Sequence, residues 1–185
     1  AQYRMGSYPS ARKAIERFLL SSSATLSSYY PQGLYTAGYL YMKDENYDDA
    51  QECFEKYLTT SAGWQRDHQT YDVYNRLGDC QYVRKQFTTA IESYNYVISH
   101  NGKDADYATY QKALCYGAIG KSEDKLIYLN RIFENYKESP LASKAMFEMA
   151  NTYLVCDNNE MALLYFNKFE NEYPQSAYVK EALLN

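Results

Sequence analysis

Apolar residues recur at spacings of three and four positions along nearly the whole chain, and no long stretch alternates apolar with polar residues. This pattern is typical of amphipathic helices rather than of strands. It predicts an all-α protein built from pairs of helices. The predicted pairs span 31–58, 68–98, 104–134 and 140–170, with a lone second helix at 8–20 and the start of a further first helix at 177–185.

A repeat underlies these pairs. Three residue pairs are each separated by 37 positions: Tyr136 and Tyr173, Ser139 and Ser176, and Ala145 and Ala182. A small residue forms a first anchor at Gly38, Gly78, Ala113 and Ala150. Twelve positions after each of these lies a second anchor, at Ala50, Ala90, Lys125 and Ala162. The constant spacing predicts two helices joined by the same turn in every repeat.

Large side chains form a further column, four positions after each second anchor. They are Phe54, Tyr94, Leu129 and Phe166. Because Gly and Ala let two helix backbones approach closely, we expect each large side chain to cover the small residue opposite it. Leucine at Ala50 or Ala90 is therefore expected to destabilise the fold, whereas Lys125→Leu is expected to be tolerated or stabilising.

Residues at the predicted helix starts are good N-caps. Ser139 precedes Pro140, Ser176 precedes Ala177, and Asp67 holds the corresponding place in the second full repeat. Serine and aspartate accept hydrogen bonds from the first backbone N–H groups of a helix, and proline is tolerated at the first helical position. The sequence thus predicts that all three residues cap first helices.

These columns resemble those of the tetratricopeptide repeat (TPR) family, whose helix-turn-helix unit is about 34 residues long. The resemblance implies a single array over 1–185, in which the hairpins stack into a right-handed α-α superhelix, or solenoid. The segment YPQSAYVKEALL is similar to segments of bacterial envelope TPR proteins, such as the outer-membrane assembly lipoprotein and the TolA-binding proteins. This closer resemblance implies a periplasmic or envelope-associated protein, and a cytoplasmic location stays open.

In the resembled family the first helices line the concave side of the superhelix, where ligands usually lie. One stripe of each first helix supplies the candidate binding residues, which are Tyr35, Tyr39, Asn75, Asp79, Tyr82, Tyr110, Leu114, Phe147 and Asn151. Because the stripe has almost no Lys or Arg, a ligand with a terminal carboxylate is disfavoured. We expect a peptide or helix with apolar or aromatic side chains, although some of these rings can instead pack between repeats.

Charge and composition exclude several other classes. The 185 residues include 19 basic and 23 acidic ones, for a net charge of −4, which disfavours nucleic acid as a partner. No run of residues is long and apolar enough to predict a membrane span. The four cysteines contain no Cys-x-x-Cys pair, which favours buried packing residues over a zinc site.

The sequence predicts no enzyme. Its two histidines, His68 and His100, have no metal-ligand spacing, and no phosphate-binding loop is present, so we expect no catalytic residues, cofactor or metal. The leading hypothesis is a noncatalytic protein-interaction scaffold. One alternative is a structural segment of a larger envelope assembly that self-associates through incomplete terminal repeats. Another is glycan binding by stacking on some of the 23 tyrosines.

Overall fold

A computed structural model describes residues 8–60 and 62–176. All regular secondary structure in these residues is helical. Within these residues there is no strand, so the all-α prediction is confirmed. The helix predicted from 177 lies outside the described residues. The helices are α1 (Tyr8–Leu19), α2 (Tyr30–Lys43), α3 (Tyr47–Leu58), α4 (His68–Val83), α5 (Phe87–Ser99), α6 (Ala105–Ala118), α7 (Ser122–Asn135), α8 (Ala142–Val155) and α9 (Asn159–Glu172).

The chain divides into two compact units. The first unit ends at Lys103 and contains α1 to α5, and the second begins at Asp104 and contains α6 to α9. Short 3₁₀ helices at Ala24–Leu26 and Ala62–Trp64 lie in the two long connections of the first unit. The single array expected from the sequence remains a prediction. None of the described helices is long and apolar enough to cross a membrane.

Each hairpin of the first unit closes over a glycine. A Cβ atom added to Gly38 would lie 2.5 Å from Phe54 Cε1, and one added to Gly78 would lie 2.6 Å from Tyr94 Cε1. Both rings are fully buried. The small anchor and the large residue sixteen positions later are therefore in contact, as the sequence columns predict. The aromatic area removed from water at these crossings stabilises each hairpin.

The second unit repeats this packing with alanine in place of glycine. Ala113 lies in one buried cluster with Leu129, and Ala150 lies in another with Phe166. Lys125, the exception among the second anchors, fits by laying its aliphatic chain along Gly117, where an added Cβ would lie 2.9 Å from Lys125 Cδ. The ammonium group of Lys125 pairs with Glu148, so the lysine can replace alanine without a buried, unpaired charge.

The constant spacing of twelve has a structural cause in the turn between helices. The residue seven after each first anchor is in the left-handed region, with φ of 58° at Glu45, 60° at Lys85, 75° at Gly120 and 57° at Asp157. The next residue donates its backbone N–H to the carbonyl five positions earlier, for example from Asn46 to Tyr41 at 2.9 Å. This bond is one of those that characterise the Schellman motif, which ends a helix with a left-handed residue.

The predicted caps have mixed outcomes. Asp67 accepts from Thr70 N at 2.8 Å, which confirms it as the N-cap of α4. The prediction for Ser139 is wrong, because α8 begins at Ala142. The Ser139 hydroxyl instead accepts from Leu141 N at 3.1 Å and donates to Asp106 Oδ2 at 2.6 Å. A serine side chain can bond the backbone N–H two residues further on instead of capping a helix, and Ser139 does so here.

Candidate functional site

Two tyrosines of the predicted stripe lie one turn apart on α2. The ring centroids of Tyr35 and Tyr39 are 5.0 Å apart with a tilt of 59° between the planes. Tyr39 also meets Phe54 edge-on, with the centroids 6.0 Å apart. Both tyrosines are half-buried, so each ring packs on the core and still presents part of its area to solvent. The two rings form an aromatic surface on the first unit.

The hydroxyls of both tyrosines converge on one carboxylate oxygen of α4. Tyr35 donates to Asp72 Oδ2 at 2.8 Å, and Tyr39 donates to the same atom. Burial, and then the hydrogen bond to Asp72, raise the pKa of Tyr35 to about 12. The same causes raise the pKa of Tyr39. Both phenols are therefore held neutral and oriented on a fixed acceptor.

A chain of charges continues from Asp72 along α4. Arg76 Nε lies 3.6 Å from Asp72 Oδ1, and Arg76 Nη1 lies 2.6 Å from Asp79 Oδ2. Tyr94 on α5 donates to Asp79 Oδ1 at 2.7 Å. Spacings of four and three residues place these charged groups on one face of α4. We call Tyr35, Tyr39, Asp72, Arg76, Asp79 and Tyr94 the tyrosine–carboxylate cluster.

The structure does not present the remaining stripe residues of α4 in the same way. Asn75 is only 1% exposed, and neither its amide nitrogen nor its oxygen has a hydrogen-bond partner among the described residues. A buried amide without partners costs stability, on the order of 1–3 kcal/mol. Tyr82 is half-buried and its ring meets Phe87 edge-on at 5.4 Å. Among the described residues, Asn75 therefore makes no hydrogen bond to the tyrosine–carboxylate cluster.

In the second unit the stripe residues belong mainly to the core. Tyr110 is 1% exposed and Phe147 is 4% exposed, each within a buried cluster. Lys144 Nζ lies 5.1 Å from the Tyr110 ring centroid. Leu114 is half-buried against the same core as Tyr110, and Asn151 is half-buried. The rings of Tyr110 and Phe147 thus pack in the core, which is the alternative to ligand binding that the sequence left open.

Of the nine predicted residues, the structure thus brings Tyr35, Tyr39 and Asp79 into one cluster. Sequence reasoning missed Asp72 and Arg76, which connect them. A signal was present, because Asp72, Arg76 and Asp79 have the spacing of an ion-paired helix face. The predicted stripe comprises only three positions of each first helix, and neither Asp72 nor Arg76 occupies one of them.

The cluster offers aromatic ring faces next to carboxylate oxygens. Asp72 and Asp79 retain part of their side-chain area in solvent, at 25% and 14%. Ring faces suit apolar or aromatic groups, and carboxylates suit N–H donors and cations. The described residues contain no group of three or more His, Cys, Asp or Glu side chains that could hold a metal ion.

Comparisons with known proteins support the fold. No family model matches the chain, and no curated protein sequence matches it. Solved structures of TPR proteins do match. MamA superposes with a TM-score of 0.77 at 18% identity, over 94% of this chain and 93% of that chain. A TPR protein from Parabacteroides merdae gives a TM-score of 0.68 at 18% identity, over 82% of this chain and 57% of that one.

The structure of YrrB, a TPR protein with an unusual peptide-binding site, gives a TM-score of 0.74 at 22% identity. The match covers 99% of this chain and 88% of YrrB. At these identities the superpositions show a shared fold of TPR-like helix hairpins. What each protein binds depends on the side chains that it presents on that fold.

Proposed function

We propose that this protein is a noncatalytic protein-interaction module, and that the tyrosine–carboxylate cluster of the first unit binds a peptide or helix of a partner. The observation that carries this proposal is the convergence of Tyr35 and Tyr39 on Asp72. It fixes two partly exposed aromatic rings side by side on a helical scaffold. The proposal is supported by the TPR-like fold and by the peptide-binding site described for YrrB.

The cluster is organised before a ligand arrives. An aromatic side chain in an interface loses rotamer freedom on binding, at a cost of about 0.5–1.5 kcal/mol for each immobilised side chain. The hydroxyl bonds to Asp72 have already restricted both rings, and the ring of Tyr39 also packs against Phe54. A partner therefore gains ring contact at a reduced entropic cost. Tyrosine is enriched in binding hot spots for this combination of area and rigidity.

The chemistry of the cluster defines the partner. Apolar or aromatic side chains of the ligand would cover the faces of Tyr35 and Tyr39. Backbone N–H groups or a cationic side chain would reach the carboxylates of Asp72 and Asp79. The single cation of the cluster, Arg76, already pairs with both carboxylates. A tail that ends in a carboxylate is therefore disfavoured. It would meet the two carboxylates of Asp72 and Asp79, and the charge of the Arg76 guanidinium is already balanced by them.

Peptide selection followed by mutagenesis tests the proposal. A displayed library of random peptides is selected against the folded protein, and the enriched peptides are titrated against wild type and Tyr35→Ala/Tyr39→Ala. We expect enrichment of apolar and aromatic residues, and a loss of affinity of about tenfold or more in the double variant, as is typical of hot-spot aromatics. Tyr110 is left unchanged because its ring is buried in the core of the second unit.

A matched control uses Tyr29→Ala. Tyr29 is 75% exposed and lies just before α2, outside the tyrosine–carboxylate cluster. Its replacement removes a tyrosine from the same unit and should leave peptide affinity unchanged. Equal affinities for wild type and for a folded Tyr35→Ala/Tyr39→Ala variant would remove the cluster as the binding site. Failure to enrich any peptide would count against the module itself.

A second candidate, a structural segment of a larger assembly, is favoured by exposed apolar side chains in the second unit. Val155 on α8 and Leu163 and Leu164 on α9 are more than half exposed. Sedimentation velocity of wild type and of Leu163→Glu/Leu164→Glu tests this candidate. Concentration-dependent association that the double variant abolishes would favour it, and a monomer at all concentrations would exclude self-assembly through this face.

A further inference from the structure

A cavity lies in the first unit between α1, α2 and α3, away from the tyrosine–carboxylate cluster. Its volume is about 340 Å³, within the range of pockets that hold small organic ligands. It shares no lining residue with the cluster. Leu34 and Tyr41 of its wall are seven residues apart and so lie on one face of α2, whereas Tyr35 and Tyr39 lie on another.

One part of the wall is apolar. Leu34 and Cys53 are buried, and Leu19, Tyr30 and Tyr41 are half-buried. Burial raises the pKa of the Cys53 thiol to about 11, so this side chain is a neutral, weakly polar part of the surface at physiological pH. The two tyrosine rings add faces that suit apolar groups and cations, and the Arg12 guanidinium already lies over the Tyr41 ring, 5.7 Å from its centroid. This part of the wall suits the hydrocarbon portion of a ligand.

The charged part of the wall is predominantly acidic. Glu16, Asp49 and Glu52 contribute three carboxylates against the one ammonium of Lys56. Lys56 Nζ pairs with Glu52 at 2.6 Å, and Glu16 pairs with Arg12 at 2.9 Å. Asp49 accepts a hydrogen bond from the Asn46 amide, but no salt bridge to Asp49 occurs among the described residues.

Tyr41 lies between the apolar and the charged part of the wall, and its surroundings are also acidic. Tyr41 donates to Glu16 Oε1 at 3.2 Å. Burial, followed by the negative charges of Glu16 and Asp49, raises the pKa of Tyr41 to about 12. A group that enters this cavity therefore meets net negative charge beside aromatic and aliphatic side chains.

We infer that this cavity binds an organic cation with an apolar body, namely a primary amine or a guanidinium attached to an aliphatic or aromatic group. The apolar body would lie against Leu34 and the tyrosine rings, and the cationic nitrogen would lie next to Asp49. Such a group can be a free small molecule or a side chain of a protein. Both sources share the chemistry that the cavity recognises.

Titrations followed by ¹⁵N–¹H NMR test the inference with two probes of opposite charge. Phenethylamine and 3-phenylpropionate have similar apolar bodies, but one carries an ammonium and the other a carboxylate. We expect phenethylamine to give saturable shifts of the Leu34 and Cys53 backbone amides and 3-phenylpropionate to give none. N-acetylarginine amide serves as a third probe: tighter binding of it than of phenethylamine would favour a protein side chain as the ligand, and tighter binding of phenethylamine would favour a free small molecule.

Two neighbouring carboxylates of α3 provide matched variants. Asp49→Asn removes one of the three carboxylate charges that line the cavity, whereas Asp48→Asn removes a first-turn charge that does not line it. We expect Asp49→Asn to weaken phenethylamine binding about fivefold or more, as for loss of a charged partner, and Asp48→Asn to leave it unchanged. Absence of shifts with both cationic probes overturns the inference, as does equal binding of phenethylamine and 3-phenylpropionate.

Discussion

The ring of Tyr94 lies so close to Gly78 that a Cβ atom on residue 78 would come within 2.6 Å of Tyr94 Cε1. The equivalent pair in the preceding hairpin, Gly38 and Phe54, leaves 2.5 Å. Carbon atoms in proteins pack at about 3.5–4.0 Å, so a methyl group at either position requires the ring or the helix to move. The absence of a side chain at these two positions is therefore a condition of the close helix crossing.

Gly38→Ala is accordingly expected to lower the free energy of unfolding. In an open helix the substitution would stabilise by up to about 1 kcal/mol through helix propensity. Here we expect a net loss of about 1–3 kcal/mol from overpacking against the buried Phe54 ring. Chemical denaturation measures the change. In a Phe54→Leu background the cost of Gly38→Ala should shrink, and the same cost in both backgrounds would contradict the packing explanation.

At the turns, where residues adopt left-handed backbone angles, replacement by glycine is expected to raise the stability of the protein. Glu45 and Lys85 have φ near 60°, whereas the equivalent residue in the third hairpin is Gly120. Because this conformation strains residues with a Cβ, Lys85→Gly should stabilise the protein by up to about 1 kcal/mol. Lys85→Ala is the control, since it removes the same charge without relieving the backbone. Equal melting temperatures for the two variants would show that the turn carries no such strain.

A salt bridge joins α7 to α8 in the second unit and changes the expectation for Lys125. Lys125 Nζ lies 2.8 Å from Glu148 Oε2, and the two side chains are 15% and 27% exposed. Replacing the lysine by leucine leaves a partly buried carboxylate without its partner. We therefore expect Lys125→Leu to destabilise, contrary to the expectation from the repeat columns alone.

A double-mutant cycle measures this pair. We expect Lys125→Leu, Glu148→Leu and the double variant to reveal a coupling free energy of about 0.5–1.5 kcal/mol, since the pair lies between the exposed and the buried cases. The coupling should decrease at high salt. Strictly additive single changes would show that the contact contributes nothing to the stability of the second unit.

Tyrosine ionisation in the tyrosine–carboxylate cluster predicts a loss of stability at high pH. The folded-state pKa of Tyr35 is raised from 10 to about 12. The folded protein therefore holds this proton more tightly than the unfolded chain, and the resulting stability is fully present below pH 10 and is lost as pH rises toward 12. Urea unfolding across this interval should show a shallower decline for Tyr35→Phe. Tyr29→Phe, at an exposed position, should retain the wild-type decline.

The sequence predicts the hairpins well because their determining contacts are local. Gly38 meets Phe54, and Gly78 meets Tyr94, sixteen positions later in each case. A fixed turn makes this spacing constant, so a column of small residues and a column of large ones reveal the contact. The Asp67 cap depends on an even shorter segment. Local geometry and side-chain size are sufficient for these features.

The candidate site depends on contacts that no single helix specifies. Tyr35 and Tyr110 occupy equivalent stripe positions, yet one is half-buried on the first unit and the other is buried in the core of the second. Asp72 becomes an acceptor for two tyrosines only because α4 packs beside α2. The partner of Lys125 likewise comes from the next hairpin, 23 residues away. Sequence columns show which residues repeat and leave these pairings undetermined.

The most direct test of the proposed binding surface is an NMR shift map of the ¹⁵N-labelled protein titrated with a peptide enriched by selection. We predict saturable shifts concentrated on α2 and α4 around Tyr35, Tyr39, Asp72 and Asp79, and their loss in Tyr35→Ala/Tyr39→Ala. Shifts confined to other helices, with these four amides unchanged at saturation, would contradict the account.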